Sequence, residues 1–292
     1  MDTPATFSPE FAEDTRSRLR KLLGKTWLRI EAEDEAVGGS TAPDRQRHPL
    51  AILYRRSEDF VQQFKENKFP GYFADFLALC AVVEILTRSA NEGIFPEVTA
   101  GFADRSSFRH DMVTLGLADH IRTHTKYPVR LPTRGSRNER VVDLIMGESP
   151  AIEVETKSSE EFDGPQRHVT ETDAGRAIRR AYRAALGGEN PQLTGAAPTA
   201  LLIGGISVHV ASLPTIARVA RRWLERKGGE HPNFWGILVL TFAAHARIPR
   251  GRTIGDGNPL TIDTSAGVQL AGAMNPHYNG PIEIRFTEAV WE

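Results

Sequence analysis

The spacing of apolar residues predicts mainly helical structure in the first third of the chain. Residues 1–70 are charged and carry a partial apolar stripe that includes Phe11, Leu19 and Leu22. From residue 72 to residue 89 the apolar positions recur too densely for a surface helix. This density predicts one long buried helix, which ends near Gly93 because glycine disfavours a continued helix. A mixed helical stretch follows at about 104–124.

Short β-rich runs replace the helical pattern in the middle of the chain. They cover residues 127–133, 140–146 and 151–157, and turn-forming residues separate them at 135–138 and 147–150. Because short turn-rich connections join antiparallel strands, the three runs are predicted to form an antiparallel meander.

Longer elements follow the meander and define a fold class. Cap-type residues at 170–173 precede a helix at 174–186, and Gly187 follows it. Residues 199–208 and 234–242 are continuous apolar strands, and a helix opened by Pro214 lies between them at 213–227. The order α-β-β-β-α-β-α-β predicts an α/β fold with a mixed central sheet flanked by helices.

The same patterns divide the chain into three regions. We predict a helical N-terminal region at 1–70, an α/β core at 71–246, and a Gly- and Pro-rich β extension at 247–292. The extension carries short alternating runs at 260–263 and 282–286, which are typical of strands.

Composition and charge exclude several classes of protein. The 292 residues carry 36 Lys and Arg against 37 Asp and Glu, which excludes a protein that coats nucleic acid by bulk charge. Cys80 is the only cysteine, so disulfide frameworks and thiolate zinc clusters are excluded. The first residues lack the pattern of a signal peptide, and the apolar runs are too short for a bilayer span. We therefore expect a cytoplasmic protein with no membrane partner.

Candidate chemistry lies on the second and third strands of the predicted meander. Strand alternation places Glu153, Glu155 and Lys157 on one face. Asp143 interrupts an apolar run, where an unpaired charge is costly. If the two strands pair through the 147–150 turn, Asp143 lies opposite either Glu153 or Glu155. Clustered carboxylates suit Mg²⁺, with Mn²⁺ as an alternative, and a nearby lysine suits attack on a phosphodiester.

These residues resemble the PD-(D/E)XK nuclease superfamily, the fold of many restriction endonucleases and related repair and defence nucleases. The resemblance rests on Asp143 followed by Glu155-Thr156-Lys157 within an α-β-β-β-α-β series, and it covers residues 72–208. It implies a restriction endonuclease-like core, with Asp143 and Glu155 as metal ligands and Lys157 as the catalytic lysine. Val142 stands where the family has proline.

Two features of the resemblance leave the ligand set open. Glu153-Val154-Glu155 is an alternative acidic triplet with glutamate in the lysine position. We favour the triplet that ends in Lys157 because it supplies the cation, and Glu153 then becomes an additional metal ligand. The long upstream helix implies a fourth acidic group, Glu84.

Basic residues predict a surface for nucleic acid. Arg176, Arg179, Arg180 and Arg183 are spaced i, i+3, i+4 and i+7, so they form one stripe on the predicted helix at 174–186. A phosphate backbone can lie along such a stripe. Arg140 and its basic neighbours on the first two strands would add phosphate contacts. The alternative is a solvated face whose arginines pair with the acidic residues at the start of the helix.

The expected function is metal-dependent cleavage of nucleic acid by a magnesium-dependent phosphodiesterase. DNA is expected as the substrate rather than RNA, as for endonucleases of restriction or defence type. The alternative is a catalytically inactive module that keeps the fold and binds nucleic acid or a partner protein. Cutting both strands of a duplex favours two copies of the chain, which leaves a homodimer open.

One histidine pair is not expected to bind metal. His120 and His124 have the i, i+4 spacing of a zinc-binding helix, but Ile121 stands where such a helix carries the glutamate that acts as general base. We therefore predict that both are surface histidines.

Overall fold

The computed structural model describes residues 5–24, 48–66, 72–91, 102, 105–132, 142–162, 168–187, 193, 197–206, 208–247, 261–263, 267–280 and 290–291. The helices are α1 (Pro9–Leu23), α2 (Pro49–Lys65), α3 (Phe73–Asn91), α4 (Arg105–His124), α5 (Glu171–Leu186) and α6 (Leu213–Lys227). The strands are β1 (Ala5–Thr6), β2 (Val129–Arg130), β3 (Leu144–Met146), β4 (Ile152–Ser158), β5 (Thr199–Gly205), β6 (Phe234–Phe242), β7 (His245–Arg247), β8 (Thr261–Asp263), β9 (Val268–Met274) and β10 (Val290–Trp291). None of these helices has the length and apolar character needed to cross a membrane.

The chain folds into two compact units, and the first is mainly helical. It comprises Met1–Asp111, Gly164–Gln166 and Phe242–Val268. Here α1, α2 and α3 pack on one another, and β1, β8 and β7 form a small antiparallel sheet. Aromatic rings fill its core: Phe60 stacks on Phe76 with 4.8 Å between ring centroids, and Phe7 meets both rings edge-on.

The long buried helix predicted at 72–89 is present as α3. Its residues are buried around most of the helix, as the density of apolar positions indicated. This helix belongs to the first unit, together with α1 and α2. The boundaries predicted after residues 70 and 246 stay predictions.

The second unit is built on a mixed sheet. It comprises Met112–Asp163, Arg167–Thr241 and Gln269–Glu292. Its seven described strands have the order β10-β9-β6-β5-β4-β3-β2. Strands β2, β3 and β4 are antiparallel neighbours, which confirms the predicted meander, whereas β4, β5 and β6 are parallel. The mixed α/β fold flanked by helices is therefore confirmed.

Helices cover both faces of this sheet. Ile178 of α5 and Ile216 of α6 share a buried core with Leu201 of β5 and Ile237 of β6. On the other face, the Thr114 hydroxyl of α4 donates a hydrogen bond of 2.8 Å to the Thr156 hydroxyl of β4. Residues that pair across two neighbouring strands point to the same side of the sheet, and Glu155 of β4 pairs with Leu201 of β5. The charged residues of β4 therefore lie on the side that α5 and α6 cover.

Local signals account for the bounds of α5 and α6. The Thr170 side chain caps α5 by accepting a hydrogen bond from the Asp173 amide, and Gly187 follows its last residue. Helix α6 opens with Pro214 in its first turn and has the predicted bounds, as does strand β6. In the extension, β8 falls in the run predicted at 260–263, β9 was not predicted, and 282–286 lies outside the described residues.

The prediction of two surface histidines on α4 is wrong for His120. This side chain is only 2% exposed, and its ring centroid lies 4.7 Å from that of His124. Burial, with a smaller contribution from His124, lowers the pKa of His120 to about 4. The sequence pattern around it is too weakly amphipathic to show which turn of the helix faces the core.

Acid is expected to destabilise the protein through His120. An unfolded histidine titrates near pH 6.5, so below that pH the unfolded chain binds a proton that the folded chain does not. The free energy of unfolding should fall as the pH drops from 6.5 towards 4, by roughly 2 kcal/mol at pH 5. Urea unfolding of the wild type and of His120→Leu at pH 7.5 and pH 5 measures this.

His120→Leu should flatten the pH dependence, whereas substitution of the exposed His277 by glutamine should leave it unchanged. An equal loss of stability in all three proteins would contradict the assignment to His120.

Candidate active site

Asp143 immediately precedes β3, and its carboxylate lies against β4, the strand that carries Glu155. The pairing aligns Leu144 with Val154 and Ile145 with Glu153, so Glu153 does not lie opposite Asp143. The ladder ends at Leu144, and continuing it by one residue would bring Asp143 alongside Glu155. Of the two registers that the sequence left open, this pairing excludes the one that brings Asp143 opposite Glu153. The Asp143 carboxylate also accepts a 2.7 Å hydrogen bond from the backbone amide of Thr156. This bond holds the carboxylate against β4.

Lys157 completes the cluster from the same strand face as Glu155. Its Nζ lies 2.6 Å from Oε1 of Glu155, and the two side chains are 20% and 8% exposed. A carboxylate this deeply buried is costly without a counter-charge, and the ammonium group supplies one. The structure therefore brings together the three residues that the sequence singled out as catalytic.

Glu153 lies on the same strand face as Glu155 and Lys157. It is half-buried, pairs with Ile145 on one side and Thr199 on the other, and precedes Glu155 by two residues. Among the described residues of this strand face, Asp143, Glu153 and Glu155 are carboxylates and Lys157 is the ammonium group.

The candidate metal ligands of this cluster are carboxylates. Within the described ranges, no three His, Cys, Asp or Glu side chains converge closely enough to hold a metal. Asp143 and Glu155 supply two carboxylates in neighbouring strands. Mg²⁺ is commonly bound by one or two carboxylates, with water and substrate phosphate oxygens completing its octahedral shell. Zinc, which takes four nitrogen or sulfur ligands in structural sites, does not fit.

Two arginines of the predicted basic stripe contact an acidic residue that the sequence pattern did not single out. Glu161 is 6% exposed and lies in a short 3₁₀ turn at Glu160–Phe162, just after β4. Arg180 approaches its Oε1 to 3.2 Å and Arg176 to 3.9 Å, while the Ser159 hydroxyl donates to its Oε2. The only signal in the sequence was the pair of glutamates at 160 and 161.

The remaining arginines of the stripe differ in their surroundings. Arg179 and Arg183 are exposed, and the side chain of neither pairs with any residue in the described part of the chain. The expected pairing of the stripe with Asp173 is limited to Arg176, at 4.0 Å. Glu171 instead contacts Arg218 and Arg222 of α6. Arg140 lies outside the described residues.

Glu84 lies in α3 of the first unit. Its Oε1 is 2.6 Å from Nη1 of Arg18, which also donates to the Thr87 hydroxyl. This pair ties α3 to α1 within the unit. The role of Glu84 as a metal ligand stays a prediction.

The chain matches no protein-family model, no curated protein and no solved structure.

Proposed function

We propose that the protein is a magnesium-dependent nuclease that hydrolyses phosphodiester bonds in nucleic acid, with DNA as its expected substrate. The observation that carries the proposal is the cluster at β4, in which the Asp143 carboxylate accepts a hydrogen bond from the Thr156 amide and Lys157 lies 2.6 Å from Glu155. Resemblance to the PD-(D/E)XK nucleases assigns the same three residues. The order of the antiparallel meander, α5 and β5 supports the β-β-β-α-β part of the series on which this resemblance rests.

Each residue has a distinct task in this proposal. Asp143 and Glu155 would hold Mg²⁺, which when bound polarises the scissile phosphate and acidifies water. The amide of Thr156 keeps Asp143 oriented. Lys157 neutralises Glu155 and can donate hydrogen bonds to a phosphate oxygen or to the attacking water. Water attacks phosphorus in line and loses a proton to solvent, the P–O3′ bond breaks, and the 3′ oxygen takes a proton from solvent.

The arginines of α5 would position the substrate. Arg179 and Arg183 offer exposed guanidinium groups, while Arg176 and Arg180 are within reach of Glu161. A phosphate that binds at Arg180 must compete with Glu161 for it. Nucleic acid is therefore expected to contact Arg179 and Arg183 in preference to Arg176 and Arg180.

Incubation with defined nucleic acids tests the proposal. Purified protein is incubated with plasmid, linear duplex, single-stranded DNA and RNA in Mg²⁺, Mn²⁺ or EDTA. Cleavage is expected with either metal and is expected to stop in EDTA, because the site offers only oxygen ligands. The substrate that is cut fastest identifies the class of nucleic acid.

Two outcomes would contradict the proposal in different ways. Cleavage that continues in EDTA would exclude the metal mechanism. Binding of nucleic acid without cleavage, under every metal condition, would identify the inactive binding module.

A further inference from the structure

A small cavity lies at the C-terminal end of α5, away from the carboxylate cluster in sequence and on the second unit alone. Its volume is about 200 Å³, and its walls include Tyr182, Arg183, Trp223, Lys227 and His231. Drug-sized ligands and cofactors occupy cavities of roughly 300–1,000 Å³. This cavity therefore has room for a single ring system and not for a whole dinucleotide.

Aromatic rings form the walls of this cavity. The ring of Tyr182 lies 5.8 Å from that of Trp223 and 5.8 Å from that of His231, edge-on in both cases. Tyr182 is held in place because its hydroxyl donates to the carbonyl of Lys227, and burial raises its pKa to about 12. The indole N–H of Trp223 makes no hydrogen bond within the described residues, and the guanidinium carbon of Arg226 lies 5.8 Å from the centroid of the Trp223 ring.

The charge at the rim of the cavity is positive. Lys227 forms an ion pair of 2.6 Å with Glu230, which leaves Arg183 as the uncompensated charge among the described residues that line the cavity. Arg183 is also the last member of the α5 stripe, seven residues after Arg176 and so about 10 Å further along the helix. The stripe thus ends at an aromatic cavity.

We propose that this cavity takes one unstacked base of a single-stranded segment, while Arg183 and Arg179 hold the adjacent phosphates. Proteins that bind single strands combine a cationic track for the backbone with aromatic side chains on which bases stack. Here the track is the stripe on α5, and the stacking surface is Trp223 with His231. The inference rests on the proposed function and names its substrate: nucleic acid with an unpaired stretch.

Binding in EDTA tests the cavity without cleavage. The probe is a fluorescent 12-nucleotide single-stranded DNA, followed by anisotropy, with the duplex of the same sequence for comparison. Trp223→Ala should weaken single-strand binding about tenfold, because stacking on an aromatic ring contributes that much per base. Trp223→Phe should restore most of the affinity, and duplex binding should change less than twofold.

An abasic residue identifies which nucleotide enters the cavity. One abasic site is moved along the strand, and at one position it should lower the affinity of the wild type about tenfold. At that position it should not lower the affinity of Trp223→Ala any further, since both changes remove the same contact. Arg183→Gln should weaken the binding of both the single-stranded and the duplex probe and lower the salt dependence of that binding. The control Arg221→Gln removes an exposed arginine paired with Glu225 on α6 and should bind like the wild type.

The outcomes separate this inference from the proposed function. Wild-type affinity of Trp223→Ala for the single strand, or indifference to the abasic site at every position, would overturn the cavity as a base site. An aromatic side chain of a protein partner would then be the remaining occupant. A wild type that binds in EDTA with the expected Trp223 dependence but never cleaves with Mg²⁺ would overturn the nuclease and leave the cavity standing.

Discussion

The rate of cleavage is expected to fall by at least about 10²–10³-fold in each of three variants, Lys157→Ala, Asp143→Ala and Glu155→Ala. Loss of a charge-stabilising or proton-transfer group has an effect of this size in other enzymes. The two carboxylate variants should also lose Mg²⁺ affinity, because they lack a ligand. Lys157→Ala should keep it, since an ammonium group repels the ion. Single-turnover cleavage assays and Mg²⁺ titration followed by calorimetry measure the two effects.

A conservative variant separates chemistry from folding. Asp143→Asn keeps an oxygen that can accept the hydrogen bond from Thr156, yet it lacks the charge that holds a metal. It should fold like the wild type and be as inactive as Asp143→Ala. Lys157→Ala should be destabilised in EDTA because the buried Glu155 loses this counter-charge, and Mg²⁺ should restore part of the loss.

Glu153→Ala distinguishes the two triplets. If Glu155 and Lys157 act as proposed, this variant should retain most of its activity. If Glu153-Val154-Glu155 is the functional triplet instead, Glu153→Ala would be inactive and Lys157→Ala nearly normal. Wild-type cleavage by all four alanine variants would show that the cluster is only a charged surface.

Gly205→Ala is expected to lower the free energy of unfolding by about 1–3 kcal/mol, the usual cost of overpacking. A Cβ at Gly205 would lie 2.6 Å from the carbonyl oxygen of Phe162, which is backbone and cannot move aside alone. This glycine lets the Glu160–Phe162 turn lie against β5, and the turn carries Glu161. Urea unfolding at pH 7.5 measures the change.

Gly175 provides the matched control within the same unit. It lies inside α5, and a Cβ there would meet only a Val219 methyl at 3.9 Å, which is ordinary contact. Gly175→Ala should therefore stabilise the protein by about 0.5–1 kcal/mol, since alanine favours helix more than glycine. The same sign of change in both variants would contradict the role assigned to Gly205.

Local patterns were sufficient to predict most of the sheet unit. The bounds of α6 and β6 and the capping of α5 by Thr170 follow from signals within a few residues of each element. The meander likewise follows from short β-rich runs and the turn between them. Caps, turns and continuous apolar runs act through neighbouring atoms, so the sequence displays them directly.

Local patterns predicted only part of the candidate site. Strand alternation placed Glu155 and Lys157 on one face, but it allowed Asp143 to face either Glu153 or Glu155. Which register forms depends on the turn between β3 and β4 and on packing across the whole sheet. Glu161 reaches Arg180 only because the turn after β4 folds back onto α5.

The sequence by itself determined the element order, the helix caps and the residue types of the candidate site. The tertiary structure decided the rest: that α3 packs in a separate unit from the sheet, that His120 is buried, that Glu153 pairs with Ile145 and not with Asp143, and that the stripe on α5 ends beside Trp223. The physical reason is the distance along the chain over which each kind of interaction acts. Backbone propensity and capping act over a few residues, whereas burial, register and long-range ion pairs depend on which apolar surfaces the folded chain brings together.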